Sequence, residues 1–154
     1  MNSRQWIVSF SFALAATATA QAPKQSGSKK SADPNYIEVV PKPAERRVDV
    51  LVGGKAFTSY IWPTSLKKPV LYPLRSANGT VVTRGFPLEP RPGERVDHPH
   101  HAGLWFNYGN VNGLDFWNNS DSIVAEAAPK MGTIVHKSIR GSKSGAGEGT
   151  LDVT

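Results

Sequence analysis

The chain has 154 residues, a formal net charge of +6 and no cysteine. That length suits one domain with a modest core and not two. The missing cysteines exclude disulfide stapling and attachment through a lipidated N-terminal cysteine.

The first twenty residues read as a secretory signal peptide. Arg4 gives a short positive start, "WIVSFSFALAATATA" is apolar but short for a bilayer span, and Ala18-Thr19-Ala20 offers small residues to a signal peptidase. Cleavage before Gln21 removes Arg4 and no acid, lowering the net charge from +6 to +5. The expected location is periplasmic or secreted. Residues 21–36, "QAPKQSGSKKSADPNY", read as a flexible linker rich in Ser, Pro and Lys. Part of the basic excess is therefore solvated tail. No face gathers basic residues with aromatics between them, which argues against a nucleic-acid partner. No apolar stretch suited to a membrane remains after signal removal.

From residue 37 to 154 the pattern is short β runs broken by turn residues, which predicts an all-β, antiparallel β-sandwich. "RVDVLVGGKAFTSYIW" is a hairpin closed on Gly53-Gly54. A two-residue turn there pairs Val50 with Phe57 and Asp49 with Thr58, placing Val48, Val50, Val52 and Phe57 on one face. "PVLYPLRSANGTVVTRGF" is a second hairpin turning at Asn78-Gly79; Pro73 marks its first strand as an edge or a bulge. Pro87, Pro90 and Pro92 then impose a loop. "LWFNYGNVNGLDFWNN" is a third hairpin turning at Asn112-Gly113, with Asn110 opposite Asp115 and Tyr108 opposite Trp117. "SDSIVAEAAPK" suits one helical turn before Pro129. "MGTIVHKSIRG" and "GTLDVT" read as two strands joined by a Gly/Ser-rich loop from Gly141 to Gly149. Because the last strand stops without a polar tail, the sequence reads as part of a larger sandwich.

The chemistry concentrates in "DHPHH", which carries three of the four histidines. If Asp97 to His101 is extended, as Pro99 favours, His98 and His100 point to one side. Three readings follow. As a metal site, His98 and His100 would hold a divalent transition metal, with His136 or Asp115 as third ligand. Without metal, His98, His100 or His101 would move a proton, and Asp97 or Asp115 would orient a ring. The rings of Trp105, Phe106, Tyr108, Phe116 and Trp117, beside Asn107, Asn110 and Asp115, would then suit a small-molecule or saccharide ligand. The third reading is structural, since hairpin aromatics are usually core. Arg75, Arg84 and Arg95 could reach an anionic ligand, with Arg75 and Arg84 on one face of the second hairpin. No Gly-rich loop leads into a helix and no serine sits in a nucleophile elbow.

From Pro69 to Trp117 the chain resembles the family labelled "methane oxygenase PmoA", exported bacterial proteins of uncharacterised function. The pieces that carry the likeness are "YPLR", "GTVVTRGFP", "DHPHH" followed by "GLWF", and "VNGLDFW". Members are longer, which agrees with a truncated sandwich. Two positions depart from the pattern. Ala102 stands where an arginine usually follows "HPHH", and Asn110 where an acid commonly precedes "VNG". The chemistry in the label does not transfer, because the membrane subunit of that name crosses the bilayer several times. Cleavage before Gln21 also leaves no N-terminal histidine for a copper clamp. The resemblance, with export, implies action on carbohydrate through His98, His100, His101 and Asp115, with Arg84, Trp105, Tyr108 and Trp117 binding substrate. The competing expectations are a metal-dependent oxidoreductase or hydrolase, and a non-catalytic binding domain.

Overall fold

The computed structural model describes residues 33–154; the expected signal peptide, 1–20, and residues 21–32 of the expected linker lie outside the described residues. The fold is all-β. One sheet contains β1 (Tyr36–Lys42), β2 (Arg47–Val52), β3 (Lys55–Ile61), β4 (Val70–Leu71) and β6 (Gly145–Ala146), in the order β4-β3-β2-β1-β6. A second sheet pairs β5 (Ile139–Lys143) with β7 (Thr150–Val153). Every strand pairing is antiparallel. No described helix is long and apolar enough to cross a membrane.

Asp33 to Asn35 form a turn that feeds β1, so Tyr36, taken as the end of the linker, is already in the sheet. The Gly53-Gly54 hairpin forms, but its register changes halfway. Val52 faces Lys55 and Leu51 faces Ala56, whereas Val50 faces Thr58 and not Phe57. Phe57 is the extra residue of a β-bulge, and its carbonyl accepts from the Arg75 backbone instead. The expected apolar face is therefore broken: Val48 is fully buried, while Val52 and Phe57 are exposed.

The second hairpin turns through three residues, not two. Ser76 pairs with Thr80 and Arg75 bridges Val81, which puts Arg75 and Arg84 on different sides. Pro73 follows β4, and β4 is an edge strand as expected. At the third hairpin, Asn112 and Gly113 both have positive φ (53° and 83°), as a two-residue turn of this kind needs, and Val111 bridges Leu114. Pairing stops there. Asp115 leaves to run parallel with Met131, so Asn110 does not face Asp115 and Tyr108 does not face Trp117. The helical turn is a 3-10 turn at Ala128–Lys130 that contains Pro129. Residues 131–138 form no strand, and the Gly/Ser-rich loop is shorter than expected. Its Gly145–Ala146 pairs with β1, and Ser144 Oγ accepts from the Val39 backbone.

The core that matters for the site lies at the β4 edge. Val70, Tyr72 and Ala102 are buried together, with Ile61, Leu66, Leu88 and Trp105 packed around them. Leu71 and Leu104 form an isolated antiparallel bridge, which fastens Leu104 to the outer side of β4.

Candidate functional site

The segment before that bridge holds the histidines. The extended pentapeptide expected from Pro99 does not form. His98 has φ 49° and the His101 N–H donates to the His98 carbonyl at 2.9 Å, so the chain reverses over Pro99 and His100. Arg84 explains why. Its guanidinium donates to the carbonyls of Asp97 and His98, both at 2.7 Å, and to the Asp97 carboxylate at 3.0 Å. The His101 carbonyl lies 3.5 Å from the same guanidinium. These acceptors converge only when the chain turns back. A left-handed non-glycine residue costs about 1–2 kcal/mol, whereas hydrogen bonds to a charged group contribute about 1.5–3 kcal/mol each. The tertiary contact wins over the local preference.

The turn brings the three imidazoles together. Ring centroids are 4.3 Å apart for His100 and His101, 5.0 Å for His98 and His101, and 5.7 Å for His98 and His100. His101 then meets Trp105 at 5.4 Å and Trp117 edge-on at 5.8 Å, and the two indoles are 5.7 Å apart. His98 Nδ1 sits 3.1 Å from the Asp97 carboxylate. Among the described residues, no hydrogen bond ties either ring of His100 or His101. Burial lowers the pKa of both, and the neighbouring positive groups, including Lys68, lower it further. Near neutral pH these two rings are uncharged and able to accept a proton.

Lys68 closes the back of the site. It is only 5% exposed, and its ammonium donates to the carbonyls of Trp117 (2.8 Å) and Phe116 (3.2 Å) while lying 5.5 Å from the centre of the Trp105 ring. Burial pushes its pKa down, against the pull of the Asp115 charge. Lys68 and His100 both line a cavity of about 280 Å³, whose walls include Phe86, Pro87, Ala102 and Asn119. The Phe86–Leu88 wall is set by the proline-rich loop. Glu94 accepts from the backbone N–H groups of Gly85 and Phe86, and a Cβ at Gly85 would lie 1.9 Å from the Glu89 carbonyl oxygen.

Of the residues expected at the site, His98, His100, His101, Trp105 and Trp117 come together. Arg84 is close but is occupied behind the turn. Asp115 is nearby in charge only, since its carboxylate accepts from Trp117 N, Asn118 N and Asn118 Nδ2. Those bonds from Asn118 hold its pKa low. Tyr108 points away and is 70% exposed. Arg95 is 88% exposed, 3.9 Å from Asp97, and Arg75 donates to the Gly79 carbonyl. His136 is not a third ligand: its Nδ1 lies 3.2 Å from Tyr60 Oη and its ring stacks on Trp62 at 4.0 Å. Among the described residues no three His, Asp or Glu side chains are arranged to hold a metal ion.

Lys68 and the cavity wall escaped the sequence reading. In "SLKKPV" nothing local separates Lys68 from Lys67, which reaches Asp121 at 2.5 Å on the cavity rim. No curated protein and no solved structure matches the chain. A family model described as "Family of unknown function (DUF6807)" matches residues 47–154, most of the chain and all of this site, and the protein belongs to that family.

Proposed function

We propose that the protein binds a saccharide at the Asp97–His101 turn and that His100 exchanges a proton with it. The observation that carries this reading is the gathering of three imidazoles and two indoles beside a cavity that His100 lines. His101, Trp105 and Trp117 offer ring faces and edges for the apolar side of a sugar. His100 is the histidine that lines the cavity, and its lowered pKa leaves the ring unprotonated near neutral pH. Asp115 and Arg84 act through others, the first by its charge and the second by fixing the turn. Among the described residues, no group of three His, Asp or Glu side chains forms a donor set for the metal-dependent alternative.

The test is a titration of the full chain with neutral and acidic monosaccharides, followed by tryptophan fluorescence. Saturable quenching that is lost in Trp117→Ala, in a protein that melts normally, is the expected result. No saturable change with any sugar would overturn the reading. Conversion of a bound sugar that His100→Ala abolishes, with binding retained, would assign turnover; binding with no turnover would leave a recognition domain.

We further propose that the likeness of Pro69–Trp117 to the PmoA-labelled proteins reflects common descent, supported by the quoted motifs alone. Action after export is proposed on residues 1–20.

A further inference from the structure

We propose that the ligand of this cavity is an anionic sugar of the uronate class, its carboxylate seated at the Lys68 ammonium. The inference rests on the saccharide reading and narrows it. Lys68 has three N–H donors, and two are taken by the Trp117 and Phe116 carbonyls. No carboxylate of the described residues forms an ion pair with it; Asp115 acts only through space. A buried cation without a counter-charge is costly, and a carboxylate delivered by a ligand offsets that cost. The other groups around the cavity do not supply one. Asp121 is matched by Lys67, and His100 is neutral near pH 7, which leaves one positive charge over.

Size points the same way. A volume of about 280 Å³ lies just below the roughly 300–1,000 Å³ range of drug-sized sites and suits a ligand no larger than one sugar ring. Lys68 and His100 both line this cavity. A uronate would therefore meet a cation for its carboxylate and an imidazole for a hydroxyl or ring proton. The Leu66, Leu88 and Ala102 side of the cavity is apolar and suits the C–H face of the ring.

The experiment is calorimetry on the full chain with glucuronate, glucuronamide, glucose and acetate at pH 7.5. Glucuronate is expected to bind at least tenfold more tightly than its uncharged amide, with the difference shrinking in high salt. Lys68→Gln should remove that difference and leave weak binding of the neutral sugars. Lys68→Arg should keep part of it. Equal affinity for glucuronate and glucuronamide would overturn the anionic assignment while leaving the saccharide reading intact. Binding of acetate as tight as that of glucuronate, with no neutral sugar bound, would overturn the saccharide reading and keep only an anion site. No binding of any probe to folded wild-type protein overturns both. Should Lys68→Gln not fold, the wild-type comparison of acid with amide still decides.

Discussion

Leu71 and Leu104 exchange both backbone hydrogen bonds, at 2.7 and 3.0 Å, and this pair fastens the histidine turn to the edge of the sheet. Gly103 makes the approach possible. Its φ is 61°, and a Cβ there would lie 2.4 Å from the Leu71 carbonyl oxygen. Gly103→Ala therefore combines left-handed strain with a clash against backbone, which cannot rotate away. We expect a loss of roughly 2–4 kcal/mol in chemical denaturation. Gly109→Ala is the control, since it meets nothing within 4 Å. Equal stability of the two variants would refute the account of the clamp.

Arg84 reaches three backbone carbonyls of the turn with Nη2 and the Asp97 carboxylate with Nη1, a division across one planar fork that is particular to arginine. Arg84→Lys keeps the charge beside Asp97 but supplies one compact donor head. The turn should loosen without global unfolding. Amide exchange at His101, whose N–H closes the turn, is expected to accelerate about tenfold or more. Exchange unchanged at His101 would mean that Pro99 and local contacts suffice.

The sequence carried the β class, the Asn112-Gly113 turn and the grouping of His98, His100 and His101 with Trp105 and Trp117. The Asn-Gly turn and the contact of His101 with Trp105 are local, whereas Trp117, sixteen residues beyond His101, meets that ring only through the fold. What it did not carry depends on distant partners. The backbone at His98 answers to Arg84, fourteen residues earlier, and so overrides the preference that Pro99 imposes. Asp115 leaves its hairpin to donate to the Lys130 carbonyl and accept from the Gly132 N–H. Phe57 slips out of register where its carbonyl finds Arg75. Lys67 and Lys68 differ only by which side of the chain faces the core, a fact set by the Val70–Tyr72 packing.

The pH dependence of stability follows from the imidazoles. Burial lowers the pKa of His100, His101 and His136 below the ordinary value of 6.5, so the unfolded chain takes up protons first as pH falls. Their contribution is complete above about pH 6.5 and is lost as pH drops through the folded values. Asp97 and Asp115, also held below 3.8, add a second loss only under strongly acid conditions. The denaturation midpoint should therefore decline as pH falls from 6.5 towards 5, with no imidazole contribution to its slope above pH 7. His101→Asn should flatten part of that decline. A midpoint that rises over the same interval would contradict the burial of these rings.

Asp115 separates electrostatic from structural control of the site. Its carboxylate caps the turn at Trp117 and Asn118, and its charge opposes the lowering of the His100 and Lys68 pKa values. In Asp115→Asn, the amide oxygen still accepts from the Trp117 and Asn118 backbone, and the exposed Asn118 side chain is free to turn its amide. The fold should hold, with a stability change of about 1 kcal/mol or less. The His100 titration, followed by imidazole resonances, should move to lower pH once the nearby negative charge is gone. His136, packed against Tyr60 and Trp62, is the internal reference and should not move. A fall in stability well beyond that figure, with no shift at His100, would make Asp115 a cap and nothing more. A shift with the fold intact places its charge among the forces that keep His100 ready to accept a proton.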